Sequence, residues 1–171
     1  MSMPPIFKPL LSCVYCKAVR TLLRSVSADN GIKGMNDSDG KLTETKLVLL
    51  LAEDDLSEVL LIRRALERLP MIGQISVVSS GDAAIAYVQG HDQWADRTSY
   101  PFPDVLLLDY RMPGLSGLDA LCWVRSEPGF ERLPVAVLST DFTDRESQMI
   151  DRLNAVRCLK RAGTQEMAEV I

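Results

Sequence analysis

The sequence predicts an α/β fold, a parallel sheet with helices packed on both faces. Residues 46–51 and 104–109 carry apolar runs, the mark of strands buried on both sides of a parallel sheet. Segments with apolar residues at helical spacing lie between such runs. Strands alternating with helices imply right-handed crossovers and a sheet covered on both sides. The composition, 47% hydrophobic and 25% charged over 171 residues, suits one globular domain with a tail.

The elements follow in order. Residues 46–51 form the first strand, and Ser57 caps the next helix, where Val59, Leu60, Ile62, Leu66 and Leu69 lead to Pro70. A second strand covers 74–78 and a short helix 81–88. A long polar loop then passes His91 and Trp94 to reach Pro101 and Pro103. The third strand is 104–109, with a helix over 117–126. A fourth strand at 134–138, a helix at 143–153, a last strand at 155–159 and a helical stub at 164–171 complete the series. Five such units predict a flavodoxin-like doubly wound (βα)5 three-layer sandwich with strand order 2-1-3-4-5.

Upstream stands a 45-residue extension with six Lys/Arg and four acids, net +2, against −6 for residues 46–171. Within 10–26, Leu10, Val14, Ala18, Leu22 and Val26 recur every four residues beside Lys17, Arg20 and Arg24, a basic amphipathic helix. Such a helix can lie on a membrane, dock into a partner's groove, pack on its own domain or serve no function. Membrane contact is the weaker of these readings. Met35 offers an alternative start for the chain. Residues 28–45 are rich in Gly, Asn and Asp and read as a linker. Cys13 and Cys16 form a lone C-x-x-C pair without the further ligands a zinc site needs.

Composition also excludes functions. No apolar run reaches the roughly 18 to 20 residues of a membrane-spanning helix. A net charge of −4 argues against nucleic acid as the main partner. A single histidine, His91, excludes any mechanism that needs two.

Ligands of doubly wound sheets bind at the carboxyl ends of the strands, near the switch in strand order. There the first strand ends in Glu53, Asp54 and Asp55, the third in Asp109, the fourth in Ser139 and Thr140, and the fifth in Lys160. Three carboxylates converging on one pocket repel unless a cation sits among them. Hard oxygen ligands with room for water describe a Mg²⁺ site. A hydroxyl and an ammonium opposite the acids supply donors for an oxyanion, a combination suited to phosphoryl transfer.

LLLAEDD, PDVLLLDYRMPGLSG, PVAVLST and CLK, in that order, resemble the receiver domain of two-component response regulators over residues 46–171. The resemblance implies that Asp109 is the phosphoacceptor. It also implies that Glu53 and Asp54 hold Mg²⁺ together with Asp109 and the backbone carbonyl of Arg111. Asp55 is the other candidate for the second acid. Glu53 and Asp54 are preferred because Leu56-Ser-Glu-Val then falls at the usual start of the first helix. Ser139 matches the switch hydroxyl, with Thr140 its neighbouring alternative, and Lys160 matches the lysine that pairs with the acceptor. Pro113 and Gly117 shape the loop after the acceptor. Asp141 and Arg111 either pair across the mouth of the site and tune dephosphorylation or form a plain surface ion pair.

The chain departs from the family pattern where Arg161 replaces the usual proline after the lysine and Arg157 the usual switch aromatic. The long 89–103 loop resembles single-domain regulators served by phytochrome-type kinases. The resemblance implies a cytoplasmic single-domain regulator that takes a phosphoryl group from a histidine kinase or phosphotransfer protein. It would signal to a downstream protein target by protein contacts, with no enzymatic output beyond its own phosphorylation and dephosphorylation. Homodimerisation stays open. The competing reading is a phosphate-independent pseudo-receiver.

Overall fold

The computed structural model describes residues 21–23, 26, 35–36, 42–43 and 46–160. The expected helix 164–171, the Cys13/Cys16 pair, Arg161 and most of the 10–26 segment lie outside these residues.

Five parallel strands form the sheet: β1 (Leu47–Ala52), β2 (Ile72–Val78), β3 (Val105–Asp109), β4 (Val135–Ser139) and β5 (Val156–Leu159). Their order is β2-β1-β3-β4-β5, as the alternating pattern requires. The four helices between them are α1 (Leu56–Leu66), α2 (Gly81–Gln89), α3 (Gly117–Ser126) and α4 (Asp144–Arg152). Asp104 pins the central pair, because its N–H donates to the Val48 carbonyl while its Oδ2 accepts from the Val48 N–H at 2.8 Å.

Side chains of a strand alternate between faces, and this splits the core in two. Leu50, Ala52, Leu106, Leu108, Val135 and Val137 face one side and pack with α2, α3 and α4. Leu49, Leu51, Leu107, Ala136, Leu138 and Cys158 face the other, with Val59, Ile62 and Leu66 of α1. Leu23 and Val26, both helical and buried, belong to this second cluster. Met35–Asn36 pairs antiparallel with Leu42–Thr43 inside the segment expected to be a linker.

Local chemistry sets the helix starts. Ser116 with Asp119, and Thr143 with Glu146, form capping boxes at α3 and α4. The cap of α1 is Asp55 rather than Ser57: Asp55 Oδ1 accepts from the Ser57 N–H at 2.7 Å and the Glu58 N–H at 3.3 Å. Both are good capping residues, but Asp55 alone stands in extended backbone just before the first helical turn. Strand β2 begins at Ile72, two residues before the sequence suggests: Leu47 pairs with Ile72 and Val48 with Gln74, so the ladder continues past a register shift that leaves Gly73 unpaired.

The 89–103 loop is ordered by side chains. It carries a short 3₁₀ turn, Asp92–Trp94, and Tyr87, Trp94 and Tyr100 pack as an aromatic trio. Arg97 donates to the carbonyls of Tyr87, Val88 and Tyr100, closing the C-terminal end of α2. Trp94, Trp123 and Phe130 pack against the core, as their sequence context suggests. Cys158 is buried, but Cys122 is only half-buried.

Candidate functional site

The strand ends bring the predicted residues together. Beyond β1, the Glu53 N–H donates to the Val78 carbonyl at 2.9 Å, so the ladder reaches the acid. Asp109 is the last residue of β3 and Ser139 the last of β4. The Lys160 N–H donates to the Ser139 carbonyl at 2.6 Å, which carries β5 one step further. Alternation then places Glu53 above Leu51, Asp109 above Leu107 and Lys160 above Cys158, in the columns of the α1-side face.

Lys160 sits between two carboxylates. Its Nζ lies 2.5 Å from Glu53 Oε2 and 2.6 Å from Asp109 Oδ1, with Glu58 Oε2 of α1 at 3.7 Å. The other Asp109 oxygen accepts the Arg111 N–H at 3.0 Å, so the carboxylate is held on both sides. Glu53 and Asp109 are buried polar residues, 3% and 5% exposed. Burial pushes the Glu53 carboxyl up, and the charge of Asp109 adds to it, against the opposing bond from Lys160. Burial works against the Lys160 charge, but its bonds to Asp109 and Glu53 outweigh that and hold the ammonium above its ordinary value.

Asp54, exposed at the rim, completes the acid set: one oxygen each from Glu53, Asp54 and Asp109 lie within 4.8 Å of one another. Asp55 points elsewhere, spent on the helix cap. The donors are all carboxylate oxygens, and three acids against one lysine leave a net negative cluster. A hard divalent cation such as Mg²⁺ fits that set.

Of the two candidate hydroxyls, Ser139 is buried and Thr140 exposed. Ser139 Oγ donates to the Asp141 carbonyl at 2.6 Å. Arg111 and Asp141 pair at 2.6 Å across the mouth, both largely exposed. Arg157, standing where the family carries an aromatic, forks onto both oxygens of Asp151 at 2.9 and 3.1 Å. One further contact has no signal in the sequence: the Tyr110 hydroxyl, next after Asp109, donates to Glu146 Oε1 at 2.6 Å. Two glycines shape the loop after Asp109. Gly114 adopts φ +74°, and a β-carbon on Gly117 would stand 2.1 Å from the Asp109 carbonyl oxygen.

A doubly wound sheet whose carboxyl edge holds this acid set and lysine is a receiver domain. A family model described as the response regulator receiver domain matches residues 49–171, and the chain belongs to that family. Two-component signalling is therefore its class. The chain is 32% identical over 111 residues to the probable methanogenesis regulatory protein FilR2 of Methanothrix harundinacea, covering 65% of this chain and 69% of that one. It is 29% identical over 97 residues to the response regulator Rcp1 of Synechocystis, covering 57% and 64%. The structure of the phosphorylated cyanobacterial phytochrome response regulator RcpA superposes with a TM-score of 0.65 and 26% identity, over 74% of this chain and 89% of that one. The chain spans between 47% and 69% of the lengths of the curated relatives it matches. Among the described residues, no helix is long and apolar enough to cross a membrane.

Proposed function

We propose that the chain is a response regulator in which Asp109 accepts a phosphoryl group from a phosphohistidine on a histidine kinase or phosphotransfer protein. One observation carries this reading: the Lys160 ammonium bonds the Asp109 carboxylate, which lies with Glu53 and Asp54 in a set of carboxylate oxygens within 4.8 Å of one another. In the transfer, an Asp109 oxygen forms the new bond to phosphorus and the phosphorus–nitrogen bond breaks. The electron pair leaves with the imidazole, which takes up a proton. Lys160 follows the negative charge from the carboxylate to the phosphoryl oxygens. Ser139 exchanges its bond to the Asp141 carbonyl for one to a phosphoryl oxygen.

Glu53, Asp54, Asp109 and the backbone carbonyl of Arg111 are the groups that would hold Mg²⁺. When bound, it would neutralise charge on the transferring group. RcpA, described as phosphorylated, supports the assignment of a phosphoryl acceptor. The output is protein contact in the cytoplasm. With Arg157 fixed to Asp151 in the aromatic's place, the change at Ser139 reaches α4 by another route than an aromatic rotamer.

The test is incubation with acetyl phosphate and Mg²⁺, followed by intact mass, with Asp109→Asn as control. A Mg²⁺-dependent gain of one phosphoryl group that the variant lacks is the expected result. No gain, together with no beryllofluoride binding, would leave the phosphate-independent interaction module instead.

A further inference from the structure

The α1-side face of the sheet has more surface than α1 can cover. Five strands spaced about 4.8 Å apart present a surface roughly 20 Å wide, whereas a helix with its side chains is about 10 Å across. The buried side chains of α1, Val59, Ile62 and Leu66, serve one part of it. Yet Ala136, Leu138 and Cys158, at the β4–β5 end, are 0% exposed. In the same cluster, the described residues from outside the strands, α1 and the α1–β2 connection are Leu22, Leu23 and Val26 of the N-terminal extension. Leu23 is 0% exposed and Val26 5%, while Thr21 is exposed, so this short helical piece has one face in and one face out.

We propose that this face, on its β3–β4–β5 side, is an interaction surface whose occupant is the chain's own N-terminal segment, docked through Leu22, Leu23 and Val26. The spacing of Leu22, Leu23 and Val26 puts three apolar groups on one side of a helix, matching an apolar sheet surface. The basic residues of the segment, Lys17, Arg20 and Arg24, suit it to an acidic domain of net charge −6. Leu107 and Cys158, in the layer it shares, stand one step below Asp109 and Lys160. The segment thus helps support the floor of the site, and any partner using this surface must first displace it. The docking is independent of phosphoryl transfer and stands or falls without it.

Cys158 is a native reporter of the cover, and half-buried Cys122 on α3 is the internal control. The full chain is pulsed with iodoacetamide, and labelling is read at each cysteine by peptide mass. Leu23→Asp and Val26→Asp are compared with Leu60→Asp, the same change at a position 58% exposed on α1. Both N-terminal variants are expected to raise the Cys158 labelling rate at least tenfold relative to Cys122, and Leu60→Asp to leave the ratio unchanged. Should the aspartates unfold the chain, both cysteines accelerate together, and the milder Leu23→Ala is then read by the same ratio. A Cys158/Cys122 ratio that stays at the wild-type value in folded Leu23 and Val26 variants overturns the proposal, because other parts of the chain then cover the face.

Discussion

Gly117 starts α3 directly against the backbone of Asp109: a β-carbon there would lie 2.1 Å from the Asp109 carbonyl oxygen and 3.2 Å from the Leu108 side chain. The obstacle is main chain at the end of a buried strand, which cannot swing aside as a flexible side chain would. Gly117→Ala should therefore cost about 1–3 kcal/mol, the usual range for overpacking, measured by urea unfolding. It should also slow the phosphorylation proposed for Asp109, since the strand end must shift to accommodate the methyl group. An alanine variant with unchanged stability would show that α3 can move away freely.

Asp54 and Asp55 are adjacent but do different work. Asp54 stands with Glu53 and Asp109 in the acid set, whereas Asp55 accepts two N–H bonds at the start of α1. Asp54→Ala should weaken Mg²⁺ binding about tenfold or more, because charge count sets affinity at such sites, and leave the helix intact. Asp55→Ala should cost about 1 kcal/mol of stability as a lost N-cap and leave Mg²⁺ affinity near wild type. Calorimetric titration and thermal unfolding of the two variants separate these effects.

Removing the Lys160 ammonium leaves Glu53 and Asp109 buried without their counter-charge. Lys160→Ala should lower stability by about 3 kcal/mol near neutral pH, the range for breaking a buried pair. The orphaned Glu53 carboxyl, which burial already pushes up, then stays buried most easily when protonated, so its folded-state value rises further. A raised value gives stability at low pH that is lost as the pH climbs, and the deficit of the variant should accordingly grow from acid toward neutral pH. Added Mg²⁺ should recover part of it by restoring positive charge. Urea midpoints across pH, with and without Mg²⁺, check both statements.

Much of this is legible in the sequence, for reasons that are local. The buried strands announce themselves as apolar runs, and α3 spans the expected residues 117–126, its start fixed by the Ser116–Asp119 capping box. The acids, Ser139 and Lys160 are legible because each stands at the end of an apolar strand. What escaped depends on choices between similar chemistries or on long-range contacts. Asp55 and Ser57 are both good caps, and backbone conformation decides between them. The role of Arg97, which holds three carbonyls around a loop, lies in no short pattern. A four-residue repeat marks the apolar face holding Leu22 and Val26 but does not say which surface that face meets.

Tyr110 is the clearest of these long-range contacts, and it joins the loop after Asp109 to the start of α4. Its hydroxyl donates to Glu146 Oε1 at 2.6 Å, while Glu146 Oε2 accepts the Thr143 N–H of the capping box at 2.6 Å. One carboxylate thus serves both the residue after Asp109 and the first turn of the next helix. The bond from Tyr110, followed by those from Thr143, holds the Glu146 carboxyl below its ordinary value, and the phenol is pushed up to about 12 by the same hydrogen bond. A depressed carboxyl contributes stability that is present above its unfolded value and is lost as the pH falls through its folded one. Tyr110→Phe should therefore return Glu146 toward the ordinary carboxylate range, seen in carbon-detected NMR titration of the side-chain carboxyl, and reduce the loss of stability on acidification. Because Tyr110 also packs edge-on against Phe142, the phenylalanine keeps the ring and removes only the hydroxyl. An unchanged Glu146 titration would mean that the capping box alone sets the carboxylate, and that the loop after Asp109 and α4 are not joined through this pair.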